Sequence, residues 1–225
     1  TLAYIMRELR SGEGGFCSSQ DADSAGGEGS YYTWTEAELR RAVGPDLFPL
    51  AADFYGVSRS GIFNGASVLH ISGPVEVLLQ HHRLTPNELW DKLKEIRTMM
   101  LRARAERPPP ERDSKVLADW NGLVVSAFSQ ACCTLGDRRL LGTACETADF
   151  LLAEYVNDGD VVHCRRAGLP SIAGQLPDFA LVAQGLLDLF AAGYNTRYLE
   201  AAVAITERMV MLFSAPEGGF CTTRD

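Results

Sequence analysis

The 225-residue chain carries 21 lysines and arginines against 29 aspartates and glutamates, a formal charge of −8, with 46% hydrophobic and 22% charged residues. This is the composition of a soluble globular fold, and an acidic balance without basic clusters excludes a broad surface for nucleic acid or anionic membrane. No uninterrupted apolar run reaches the roughly 18 residues of a membrane span, and the opening Thr1-Leu2-Ala3-Tyr4 is helical in pattern, unlike a secretory leader. The chain reads as a piece of a longer protein.

Residues 1–10 have the pattern of a helix end, and Gly12 to Gly29 form a long loop with glycines and aspartates at its turns. Ser30 to Trp34 reads as a short aromatic strand. Thr35-Glu36-Ala37-Glu38 and Thr85-Pro86-Asn87-Glu88 are capping boxes, the second opening a long amphipathic helix to about Arg104. Pro108-Pro109-Pro110 ends that helix and reads as a stiff packed connector.

The second half predicts four helices, over about 116–135, 138–155, 177–192 and 197–213. The first and third are apolar nearly all round, while the second and fourth keep one charged face. Stacked helical hairpins explain that alternation, because an inner helix touches neighbours on both sides and an outer one shows water its polar face. A glycine inside a helix costs about 1 kcal/mol, so Gly122 and Gly185 predict close helix–helix approach or a nearby ligand. The fold class is therefore all-α, built of helical hairpins with short β segments in the loops.

The six cysteines form no Cys-x-x-Cys pair, and Cys132, Cys133, Cys145, His163 and Cys164 match no common zinc spacing. They read as small core residues of a reduced, cytoplasmic protein. Two internal echoes stand out. Gly14-Gly15-Phe16-Cys17 with Asp21 recurs 204 residues later as Gly218-Gly219-Phe220-Cys221 with Asp225. Asp119-Trp120 is matched by Asp178-Phe179, each pair opening an inner-type helix.

Four ordered segments then carry a resemblance. They are Gly14-Gly15-Phe16-Cys17-Ser18-Ser19-Gln20-Asp21-Ala22-Asp23-Ser24 with Tyr31-Tyr32-Thr33-Trp34, and Phe63-Asn64-Gly65 with Leu69-His70. Asp113-Ser114-Lys115-Val116-Leu117 with Trp120-Asn121-Gly122-Leu123, and Leu176-Pro177-Asp178-Phe179-Ala180 with Gly185-Leu186-Leu187, complete the set. In these the chain resembles the spermatogenesis-associated protein 20 family, which includes many bacterial thioredoxin-domain-containing proteins. The resemblance implies an upstream thioredoxin-like domain and an (α/α) toroid similar to six-hairpin glycosidases and sugar epimerases. Residues 1–225 would then be an incomplete ring of that toroid. Ser114 stands where many members have a second Asp, and Pro177 and Phe179 replace Asp and Tyr.

A sugar site in such a ring needs carboxylates to move protons and aromatic faces to stack on pyranose rings. The catalytic candidates are Asp113, Asp178 and His70, with Asp21, Asp23, Trp34, Lys115, Trp120 and Asn121 as substrate-binding candidates. Asp113, Asp119 and Asp178 have an alternative reading as helix caps and first-turn dipole partners, and Asp21 and Asp23 as Asx turns. His81-His82 reads as a helix C-terminal dipole partner. Asp21-x-Asp23 lacks the later ligands of a calcium loop, and no nucleotide-binding glycine motif is present, so neither metal nor cofactor is expected. The expected function is carbohydrate-active or sugar-binding, epimerase- or isomerase-like, with a small sugar as ligand. The alternative is a non-catalytic interaction domain serving the thioredoxin-like domain.

Overall fold

The computed structural model describes residues 1–63, 65–165 and 172–224, so Asn64 and Asp225 of the sequence motifs lie outside the described residues. The chain forms two compact units, one of Thr1–Gln20 with Arg112–Asp225 and the other of Asp21–Glu111. The helices are α1 (Leu2–Tyr4, continued by a π-helical turn Ile5–Leu9), α2 (Glu36–Tyr55), α3 (Val75–His82) and α4 (Pro86–Ala105). They continue as α5 (Ala118–Leu135), α6 (Arg138–Glu154), α7 (Leu176–Gly193) and α8 (Thr196–Phe213). Short strands β1 (Ser19–Gln20), β2 (Arg112–Asp113), β3 (Val116–Leu117), β4 (Val156–Asn157), β5 (Asp160–Arg165) and β6 (Ile172–Ala173) lie in the connections.

In the first unit the four predicted helices are present as two hairpins, α5–α6 and α7–α8. Each hairpin turns through a left-handed residue, Gly136 (φ 68°) and Tyr194 (φ 56°). Each is followed by a side-chain cap, Asp137 accepting from Arg139 N and Asn195 from Arg197 N. The inner helices α5 and α7 run side by side in the same direction, which places Ser126 against Asp188 and Gly122 against Leu181. A Cβ on Gly185 would lie 2.5 Å from the carbonyl oxygen of Gly122, and one on Gly122 would meet the Leu181 carbonyl. The two glycines are thus spent on backbone contact between the inner helices, as their mid-helix position predicted.

Around this contact the core gathers Val125 and Phe128 of α5, Ala144, Ala148 and Leu151 of α6, Phe179, Val182, Leu186 and Leu189 of α7, and Ala202, Ile205 and Phe213 of α8. Tyr155 is buried beneath β3, its hydroxyl donating to Val116 O at 3.1 Å, and burial pushes its pKa up to about 12. Helix α7 is the one helix among the described residues that is long and apolar enough to cross a membrane by length and composition. Here it is packed against α5, α6 and α8. The adjacent cysteines of α5 diverge as helical geometry requires, Cys132 buried and Cys133 exposed.

The second unit is organised by its two capping boxes, and both are present. Thr35 and Glu38 close the start of α2, and Thr85 and Glu88 that of α4, each with reciprocal backbone and side-chain bonds. Leu39, Val43, Phe48 and Phe54 of α2 pack on Leu89, Leu93, Ile96 and Met100 of α4. The expected strand at Ser30–Trp34 is instead a turn. Gly29 is left-handed, Tyr32 N and Thr33 N both donate to its carbonyl, and only Trp34 makes a ladder contact, to Ser67. Arg107 gathers the carbonyls of Ser30, Tyr31 and Thr33 within 3.0 Å, so the aromatic residues are held by a guanidinium rather than by a partner strand. Pro110 of the proline run is buried.

Candidate functional site

Helix α7 begins with Gln175 as N-cap and Pro177 in its first turn, which puts Asp178 where a capping-box carboxylate reaches back. Asp178 accepts from Gln175 N at 2.8 Å. It also accepts from Asp119 N, in the first turn of α5, at 3.3 Å. Its two oxygens lie 2.9 and 3.1 Å from Nδ1 of His163, which β5 delivers. Three elements therefore converge on one carboxylate that is 1% exposed. A charge so deeply buried survives only when paired and hydrogen-bonded, and Asp178 has two backbone donors, an imidazole and two helix N-termini around it.

The consequence for His163 is chemical. A carboxylate accepts at Nδ1, so that nitrogen carries the proton and Nε2 is left to take or give one. The side chain is 31% exposed, so the pair is buried at its carboxylate and open at its imidazole. Asp119 lies beside it with its carboxyl pKa raised, chiefly by burial and further by the charge of Asp178. Its Oδ1 accepts from Trp120 N at 2.8 Å, and Trp120 itself is half exposed. Ligand atoms of Asp119, His163 and Asp178 fall within 4.8 Å of one another, close enough to hold a cation. With Asp178 already engaged by three donors, the arrangement is that of an oriented acid/base.

Of the residues singled out in the sequence, Asp119 and Asp178 sit in this cluster, with Trp120 following Asp119 in α5. Asp113 is closed in an ion pair with Lys115 at 3.0 Å, and that hydrogen bond holds its carboxyl below the usual range. Asn121 is 1% exposed and its amide is fully used, accepting from Phe16 N at 2.7 Å and donating to Phe16 O and Leu117 O. In the second unit, Trp34 is 2% exposed beneath the Arg107 guanidinium, which stands 4.3 Å from its ring. His70 is exposed and packs over Gly56, with Nδ1 bonded to Val68 O. Asp21 and Asp23 are exposed, and Asp21 accepts from Asp23 N as in an Asx turn.

His163 is the residue that spacing rules missed, since a lone histidine in a short strand has no sequence signature. The one available signal was the echo of Asp119-Trp120 in Asp178-Phe179, which aligns the two aspartates that meet. The second unit has a cluster of similar composition. His82 Nε2 lies 2.9 Å and His81 Nδ1 3.6 Å from Asp53, at the C-terminal turn of α3 where the dipole reading placed the two histidines.

Fold and cluster together define a protein of helical hairpins with parallel inner helices, whose N-termini share a buried carboxylate–imidazole pair. No family model matches the chain. It is 31% identical to spermatogenesis-associated protein 20 of Mus musculus and 30% identical to that of Homo sapiens, each over 98% of this chain and 33% of the relative. The chain is thus homologous to spermatogenesis-associated protein 20, as its motifs implied, and spans about a third of the length of those relatives. Among solved structures it is similar to the cellobiose 2-epimerase of Spirochaeta thermophila, at 13% identity over 99% of this chain and 55% of that one, with a TM-score of 0.42.

Proposed function

We propose that the chain is the carbohydrate-binding part of a longer cytoplasmic protein, with an epimerase- or isomerase-like activity carried by His163. The reading rests on one observation, the Nδ1 contact of a part-exposed imidazole to both oxygens of the fully buried Asp178. In this reading Nε2 of His163 removes or returns a proton at a carbon next to a sugar carbonyl. Asp178 is the positioning residue that fixes the tautomer and steadies the imidazolium once the proton is taken. Asp119, whose carboxyl pKa is raised chiefly by burial, is the second acid, and Trp120 offers a ring face for stacking.

The test uses the full-length protein in deuterium oxide with a panel of reducing aldoses and disaccharides, followed by proton NMR. Exchange of the proton next to the carbonyl, lost in His163→Gln and restored by no other substitution in the cluster, is the expected result. An absence of exchange with every sugar sinks the proposal. The second reading, an interaction domain for an upstream thioredoxin-like domain, draws on Asn121 and the Asp113–Lys115 pair, motif residues whose polar groups are committed to architecture. It predicts that His163→Gln leaves redox turnover by the full-length protein unchanged.

A further inference from the structure

Two helix ends in the second unit bring together three side chains that the reaction at His163 does not use. Asp53 lies in the last turn of α2, and His81 and His82 close α3. The main chain beneath Asp53 is anchored, its carbonyl accepting from Ser72 Oγ, with Phe54 O accepting from Ser72 N and Tyr55 O from His70 N. One carboxylate oxygen, Oδ2, then faces both rings, with His82 Nε2 at 2.9 Å and His81 Nδ1 at 3.6 Å. Ligand atoms of all three residues lie within 4.8 Å of one another. In a tetrahedral zinc site with bonds of about 2.0–2.1 Å, neighbouring ligand atoms stand about 3.4 Å apart. The two contacts to Asp53 bracket that edge.

The Asp178 cluster has the same kinds of donor but not the same freedom. Its carboxylate is buried and already accepts from Gln175 N and Asp119 N, which a cation would have to displace. Among the described residues no backbone N–H donates to the Asp53 carboxylate, so its lone pairs remain to be given. His82 is 15% exposed and His81 69%, an inner imidazole that packing fixes and an outer one that water reaches. The two rings stack, with centroids 4.8 Å apart and planes 16° from parallel. A metal lies in the plane of each imidazole it binds, so His81 must turn out of the stack, and its exposure lets it turn. Two imidazole nitrogens with one carboxylate oxygen suit zinc and its neighbours, whereas calcium and magnesium take oxygen ligands. Spacing rules do not see the set, because its aspartate comes 29 residues before His82.

We propose that Asp53, His81 and His82 bind one zinc ion, with solvent at the open fourth position. The ion pins the end of α2 to the end of α3. Without it the cluster adds little, since its contacts are open to water. With it, the folded chain gains whatever affinity the assembled site has over the unfolded one. The inference is independent of the chemistry at His163.

Two measurements on the full-length protein, first stripped of metal with a chelator, test it. Zinc chloride is titrated in competition with a chromogenic chelator, for the native sequence and for His81→Gln, His82→Gln and His163→Gln. The expected result is the loss of one zinc per chain, or an affinity at that site at least about tenfold weaker, in both His81→Gln and His82→Gln. His163→Gln is expected to bind zinc as the native sequence does. Native zinc binding in either His81→Gln or His82→Gln overturns the proposal, and a loss confined to His163→Gln places the ion at Asp178 and overturns it too. The second measurement is the rise in melting temperature on adding zinc, taken against the metal-free form of the same variant, so that a less stable variant does not imitate a lost site. The rise is expected to be smaller in His81→Gln and His82→Gln than in the native sequence, and an equal rise overturns the proposal.

Discussion

Two clusters in this chain draw on the same side chains, aspartate and histidine, and arrive at different ends. At Asp178 the carboxylate is 1% exposed and receives two backbone N–H groups besides His163. At Asp53 the carboxylate is 40% exposed, the His81 ring stacks on His82, and both histidines occupy the last turn of α3. The first arrangement fixes the imidazole through a carboxylate that is itself held by the backbone. The second lies at a helix end, with the His81 ring exposed and the carboxylate open to water, where a polar contact adds little. Composition of a cluster therefore says less than who else holds its carboxylate.

The sharpest way to break the comparison is to delete the carboxylate in each place. Asp178→Ala strands Gln175 N, Asp119 N and His163 Nδ1 in a dry site, and is expected to cost about 2–4 kcal/mol by urea unfolding. A loss below about 1 kcal/mol would mean that the cluster is solvated like its surface counterpart. A smaller effect of opposite sign is expected at Asp119. Its folded pKa is raised, so its proton is held more tightly in the folded state and ionisation opposes folding as pH rises through the carboxylate range. Asp119→Asn should raise the melting temperature at pH 7 by about 1–3 °C, and the gain should vanish on acidification below the unfolded aspartate pKa. A stabilisation that persists at low pH would point to packing instead of charge. Asp53→Asn closes the series with a change under about 1 kcal/mol, and a larger loss would promote the surface cluster to an organised site.

How much of this was legible from the sequence varies with distance along the chain. The hairpins α5–α6 and α7–α8 were readable because amphipathic spacing and Asp137 and Asn195 act within a few residues. The capping boxes at Thr35 and Thr85 were readable for the same reason. Ser30–Trp34 was misread because a short run rich in aromatic residues looks like a strand until a remote arginine, Arg107, claims the carbonyls of Ser30, Tyr31 and Thr33. Asp178 was visible as a charged residue at the start of an apolar helix. The role proposed for it depends on His163, which reaches it from a separate hairpin, and no local rule relates the two. Asn121 was legible as a polar residue in an inner helix, but its partner, the Phe16 backbone, lies 105 residues away.

The glycine crossing of α5 and α7 has a consequence beyond close packing. Backbone resting on backbone leaves no flexible side chain to absorb a slip, so the two helices are indexed to each other like the scales of a vernier. Asp119 lies one turn before Gly122, and Asp178 lies about 10 Å along the axis before Gly185. The approach of Asp119 N to the Asp178 carboxylate is set by that indexing. A single methyl group added at Gly185, remote from His163, would be reported at the imidazole as a change of alignment.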